Sequence, residues 1–116
     1  HLGSPGAAEM IRRGLCDILA SDYFYPAMLG AVVRLWADAV ADLPFLWRLV
    51  STNPATAMGL SDRGRIAVGL RADLVLLDWP SGAMPSPVRT FVSGRGGYSA
   101  LSETDLAGSV RQPVAV

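Results

Sequence analysis

The stretch Gly14-Leu15-Cys16-Asp17-Ile18-Leu19-Ala20-Ser21-Asp22-Tyr23 decides how this 116-residue chain is read. A glycine is followed by six residues that are apolar apart from Asp17, a length that suits a buried strand. Upstream, residues 4–14 carry the marks of a helix. Ser4 can act as N-cap, Pro5 fits the first helical position, Glu9 lies in the early turns, and Arg12, Arg13 and Gly14 close it. Helix, tight turn and strand in that order make the αβ step of a parallel α/β fold. Ser21, Asp22 and Tyr23 then fall at the carboxyl end of the expected strand.

Downstream, Pro26 opens a long helix expected to run to about residue 41. Met28, Leu29, Val32, Val33, Leu35, Trp36, Ala39 and Val40 give it a broad apolar face. Leu43 and Pro44 restart the chain, and Phe45, Leu46, Leu49 and Val50 mark a second helix. Asn53 reads as the cap of a third, with Pro54 at its first position and Gly59 at its end. From Ser61 the character changes. Residues 61–64 read as a turn, 64–69 as a short strand between glycines, 73–78 as a stronger strand, and 85–94 as holding a third. Gly94-Arg95-Gly96-Gly97 lacks the lysine and following helix of a phosphate loop and reads as a hairpin turn or loose connection. Residues 99–116 read as a flexible tail. The divisions are therefore 1–60, 61–98 and 99–116. Neither structured part is closed: one parallel strand cannot form a sheet alone, and three short strands leave two edges.

Composition sharpens this. Half of the residues (51%) are hydrophobic and only 17% are charged, an apolar surplus for a small domain, which implies surface covered by a partner or by more of the same chain. Positive and negative side chains balance at ten each, so no basic stripe marks a nucleic-acid binder. The absence of lysine removes Schiff-base and P-loop chemistry and any carbamylated lysine. The lone Cys16 cannot form an internal disulfide and reads as packing. The start has no basic region followed by an apolar stretch, so no signal peptide is expected. The apolar stretch 23–50 is broken by Pro26, Arg34, Asp38, Asp42, Pro44 and Arg48, so no membrane span is expected and a cytoplasmic setting is the default. The chain begins at His1 without an initiator methionine, so upstream sequence is expected.

Residues 14–23, followed by Pro26 and then Arg34-Leu35, resemble the carboxy-terminal part of the amidohydrolase superfamily. A second set agrees: Thr52-Asn53-Pro54-Ala55-Thr56-Ala57-Met58-Gly59-Leu60, Asp62-Arg63-Gly64-Arg65-Ile66, Gly69, and Ala72-Asp73-Leu74-Val75-Leu76-Leu77. The resemblance runs over residues 4–93. The segment around Asp22 favours the phosphonate-degradation (carbon–phosphorus lyase pathway) branch, whose diphosphatase acts on ribose 1-methylphosphonate 5-triphosphate. It implies the carboxy-terminal fragment of a (β/α)8 barrel, with 15–20 as the eighth strand, joined to part of a small β-sandwich. Barrel active sites lie at the carboxyl ends of the strands, where Asp22 falls. By this resemblance Asp22 is both metal ligand and catalytic base, holding a divalent metal of the zinc or manganese type and taking the proton of the attacking water. His1 corresponds to a family histidine after the seventh strand, and His1 and Tyr23 are the candidate substrate contacts. The substrate would be a phosphorylated small molecule.

The departures are as informative. The family centre needs a His-x-His pair, a bridging carboxylate or carbamylated lysine, and two further histidines, and His1 is the only histidine here. One carboxylate does not hold a catalytic metal where three or more protein ligands are usual. The fragment by itself is therefore expected to bind no metal and to be inactive. Without the resemblance, Asp22 reads as a carboxylate near the positive end of the helix behind Pro26. Ser21 lacks a base and an orienting acid. Asp73 reads as structural, and Trp36, Trp47 and Trp79 as packing residues. Three readings stand: a fragment of the phosphonate-branch hydrolase, whose partner is the rest of the barrel; a non-enzymatic truncated module that covers its apolar faces as a homo-oligomer; and a fragment of a cyclic amidase or deaminase from the same superfamily.

Overall fold

A computed structural model describes residues 6–24 and 26–100, together with the backbone of residues 114 and 115. The chain divides into two compact units, His1–Gly64 and Arg65–Val116.

The first unit is helical. It holds α1 (Ala7–Arg12), α2 (Ala27–Ala37), α3 (Leu43–Arg48) and α4 (Thr52–Ala57). Ser4 and Pro5, the expected opening of the first helix, lie outside the described residues; Gly6 stands at the N-cap of α1. Three of the helices stop in the same way. In α1, Gly14 N–H bonds Ile11 C=O and Leu15 N–H bonds Met10 C=O. The same pair of bonds recurs at Ala39 and Val40 behind α2, and at Gly59 and Leu60 behind α4. This is the Schellman arrangement, which needs a left-handed residue after the helix. Gly14 and Gly59 meet that need freely, and Ala39 meets it at φ 50°. The left-handed turn at Ala39 ends α2 at Ala37, four residues before the expected end. The Asp42 carboxylate caps α3 by accepting the Phe45 N–H at 2.7 Å.

Ile11, Val32, Leu35, Leu46 and Leu49 are buried together as the core of this unit, with Cys16, Leu19, Phe45 and Trp47 packed against them. The i, i+3 spacings Val32–Leu35 and Leu46–Leu49 put each pair on one helical face. Gly64 closes the unit at φ +87°. A Cβ there would stand 2.6 Å from Ala55 Cβ and 3.0 Å from Ser51 O, so the chain can pass only as glycine.

Residues 15–20 form no strand. The segment makes no ladder with any described residue, and Leu15 and Ile18 are exposed. The physical reason is that a strand exists only as a member of a ladder, and the described residues of this unit offer no second strand. The eighth strand expected at 15–20 is therefore not formed among the described residues.

The second unit is an antiparallel sheet of β1 (Leu74–Asp78), β2 (Ser86–Val92), β3 (Arg95–Ser99) and β4 (Val114–Ala115), in the order β3-β2-β1-β4. The expected strand at 64–69 is absent: residues 67–70 turn through a Leu70 N–H to Ala67 C=O bond, and Ile66 and Val68 are exposed. β1 and β2 fall within the strands read from the sequence. Their register shifts between Leu76 and Leu77, so that Arg89 and Pro87 oppose adjacent residues and Val88 is left over. A bulge is where a proline, which cannot donate to the ladder, is tolerated inside a sheet. The two-residue turn Ser93-Gly94 has positive φ at both positions, as a type I′ hairpin turn requires. It turns the chain into β3, so Arg95, Gly96 and Gly97 belong to a strand. β4 pairs with β1 from within the expected tail, and residues 101–113 lie outside the described residues.

Candidate functional site

Asp22 lies in the bend between the 15–20 segment and α2, and its side chain is exposed. Two local contacts shape this bend, and one longer-range bond holds the chain before it. Ser21 Oγ donates to the Phe24 carbonyl at 2.9 Å, and Ala27 N–H donates to the same carbonyl at 2.8 Å. Ser21 thus serves as a turn former. Leu19 N–H donates to Leu49 C=O at 3.0 Å. Pro26 takes helical angles and starts α2 at the next residue, as its fixed φ favours.

Tyr23 is 99% exposed and Phe24 is also largely exposed. His1 lies outside the described residues. Asp22 and Tyr23 are thus neighbours in one exposed bend. Among the described residues, no three His, Cys, Asp or Glu side chains gather where they could hold a metal ion. A lone exposed carboxylate does not fit a complete centre of the amidohydrolase kind, which needs three or more protein donors. What Asp22 offers is a free anionic oxygen donor at the mouth of an anchored segment.

The residue that the sequence reading misplaced is Asn53. Ser51 occupies the N-cap position of α4 without a side-chain capping bond, so Asn53 stands second in the helix and Pro54 third. Proline is tolerated there because first-turn N–H groups have no partner within the helix. Freed from capping, Asn53 Nδ2 donates to Asp17 C=O at 2.7 Å, across 36 residues. No local signal in the sequence marks this partner, because Ser51 at the N-cap turns its hydroxyl back to Trp47 C=O.

Asp73 is structural, as expected. One of its oxygens accepts both Arg71 Nε at 2.8 Å and Ser93 N–H at 2.8 Å, tying the start of β1 to the hairpin turn. Gly94 N–H adds a bond to Ala72 C=O. No helix among the described residues is long and apolar enough to cross a membrane.

Comparison with known proteins agrees with the resemblance. The amidohydrolase family model matches residues 2–96. The chain is 47% identical over 79 residues to the alpha-D-ribose 1-methylphosphonate 5-triphosphate diphosphatase of Escherichia coli, a match covering 66% of this chain and 21% of that protein. It is 43% identical over 86 residues to an adenine deaminase of Methylobacterium nodulans, covering 74% of this chain and 14% of the relative. A Methylobacterium sp. adenine deaminase is 62% identical over 51 residues, covering 43% and 9%. The chain therefore spans about a fifth or less of the length of the curated relatives it matches. No solved structure matches at the same stringency. With the family model matching most of its length, the chain belongs to the amidohydrolase family.

Proposed function

We propose that this chain is the carboxy-terminal part of a metal-dependent hydrolase that releases diphosphate from a phosphorylated ribose, and that it contributes Asp22 to the active site. The match to the diphosphatase, 47% identical over 79 residues, carries this reading. Asp22 is then the ligand and proton acceptor that the last barrel strand brings to a zinc- or manganese-type centre, whose other donors come from the rest of the protein. The 116 residues alone are inactive.

The test uses the full-length protein with divalent metal supplied, and the isolated chain beside it. Asp22→Asn in the full-length protein is expected to lower diphosphate release by roughly 10²–10⁴-fold, the range over which a general base contributes. The isolated chain should bind no stoichiometric metal and show no turnover. Enzyme-like rates from the isolated chain, or a fully active Asp22→Asn protein, would overturn the reading.

A second reading is favoured by the adenine deaminase matches. Here the same carboxylate serves amine hydrolysis, and ammonia release from adenine in place of diphosphate release decides for it. The exposed Leu15, Ile18 and Phe24 are apolar surface that either the rest of the protein or a second copy of this chain covers. Light scattering of the isolated chain separates a monomer from the self-associating module.

A further inference from the structure

Residues 15–20 make no ladder with any described residue, yet they are held at two points. Asp17 C=O accepts from Asn53 Nδ2 at 2.7 Å, and Leu19 N–H donates to Leu49 C=O at 3.0 Å. Asp17 is a bend, so the two bonds fix the segment on either side of Ile18. The two anchors are themselves fixed. Leu49 is part of the buried core. α4 is tied down beside Asn53: Thr52 Oγ1 donates to Gly64 C=O at 2.6 Å, and Ser51 Oγ donates to Trp47 C=O at 2.8 Å. Asp22 follows Leu19 by three residues, and the Ser21 Oγ bond to Phe24 C=O turns the chain immediately around it.

We propose that Asn53 is a positioning residue: its amide and the Leu49 carbonyl stand in for a neighbouring strand and hold residues 17–19 so that Asp22 is presented at a fixed place. The proposal rests on the reading of Asp22 given above for its consequence in catalysis, but the brace itself is independent of that reading. A side chain replaces the ladder where α3 and α4 meet the segment.

Asn53→Asp tests this with almost no change of shape, because it removes the donor and leaves an acceptor facing a carbonyl. In the isolated chain, hydrogen exchange at the Leu19 amide should quicken about five- to tenfold, the loss expected for one ordinary hydrogen bond. The Val32 and Leu35 amides of α2 should keep their protection. Asn53→Gln, which retains the donor, should recover part of the protection. In the full-length protein, Asn53→Asp should lower kcat with KM and bound metal unchanged, and Asn53→Gln should restore part of kcat. Leu19 exchange within twofold of the parent, or a rise spread evenly over α2 and α3, would overturn the brace. Altered Leu19 exchange with unchanged kcat would overturn its catalytic consequence. A full-length Asp22→Asn protein that keeps its turnover would sink the reading of Asp22 and leave the brace standing.

Discussion

The two units solve the same problem with different materials. In His1–Gly64 the helices bury a cluster of five apolar side chains, and side-chain packing carries the unit. In Arg65–Val116 the sheet buries one large aliphatic side chain among the described residues, Leu77, and every residue of β3 is exposed. Backbone pairing and the Asp73 clamp carry that unit. Small apolar cores are felt at every methylene, whereas a ladder is sensitive to turns and clamps.

Leu46→Ala is the strongest way to break the comparison. Leu46 is fully buried at the centre of the helical core. Its truncation should cost about 2–5 kcal/mol, the usual range for a buried leucine. Exchange at α2 and α3 amides should rise strongly while β1–β2 amides keep their protection. Equal loss in both units would show that they unfold together and that the contrast is one of appearance. Gly64→Ala comes next. It forces an L residue into the left-handed region, at about 1–2 kcal/mol, and drives a methyl into Ala55 and Ser51 O. A drop of about 2 kcal/mol or more in denaturant unfolding is expected, and no drop would mean that α4 can move away.

On the sheet side, Asp73→Ala removes the acceptor shared by Arg71 and Ser93 N–H. The pair is half-buried, so the loss should be near 1 kcal/mol. It should show as faster exchange at Ser93 with the helical core unchanged.

The same contrast explains what the sequence could show. β1 and β2 were legible because β-branched and apolar residues are concentrated there, a local property. β3 was hidden: Arg95-Gly96-Gly97-Tyr98-Ser99 has weak strand propensity and is recruited by the hairpin turn and by Tyr98 N–H donating to Thr90 Oγ1. The strand expected at 64–69 failed because short apolar alternation between glycines supplies no partner. Residues 15–20 show the same lesson at the site. Their composition suits a strand, but pairing is a property of the neighbours. The role proposed for Asp22 comes from the family resemblance, since no local pattern separates an active-site carboxylate from one that precedes a helix. Asn53 was misread because the helix begins one residue before it, at Thr52, which puts Asn53 inside the first turn.

The smallest prediction sharpens the comparison most finely, because it touches no packing and no ladder bond. Among the described residues each unit has one non-glycine residue in the left-handed region, Ala39 behind α2 and Ser93 in the hairpin. At Ala39 the Schellman bonds need that conformation, and alanine adopts it at a cost that glycine does not bear. Ala39→Gly should therefore stabilise the helical unit by about 0.5–1 kcal/mol, the glycine's greater freedom in the unfolded chain offsetting part of the relief. Ser93→Asn should act in the sheet unit by a few tenths of a kcal/mol, because asparagine tolerates the left-handed region better than serine. If each change raises protection only in its own unit, the two are separate stabilities in one chain. If Ala39→Gly also protects the β1–β2 amides, the helical unit supports the sheet, and the division at Gly64 is geometric without being energetic.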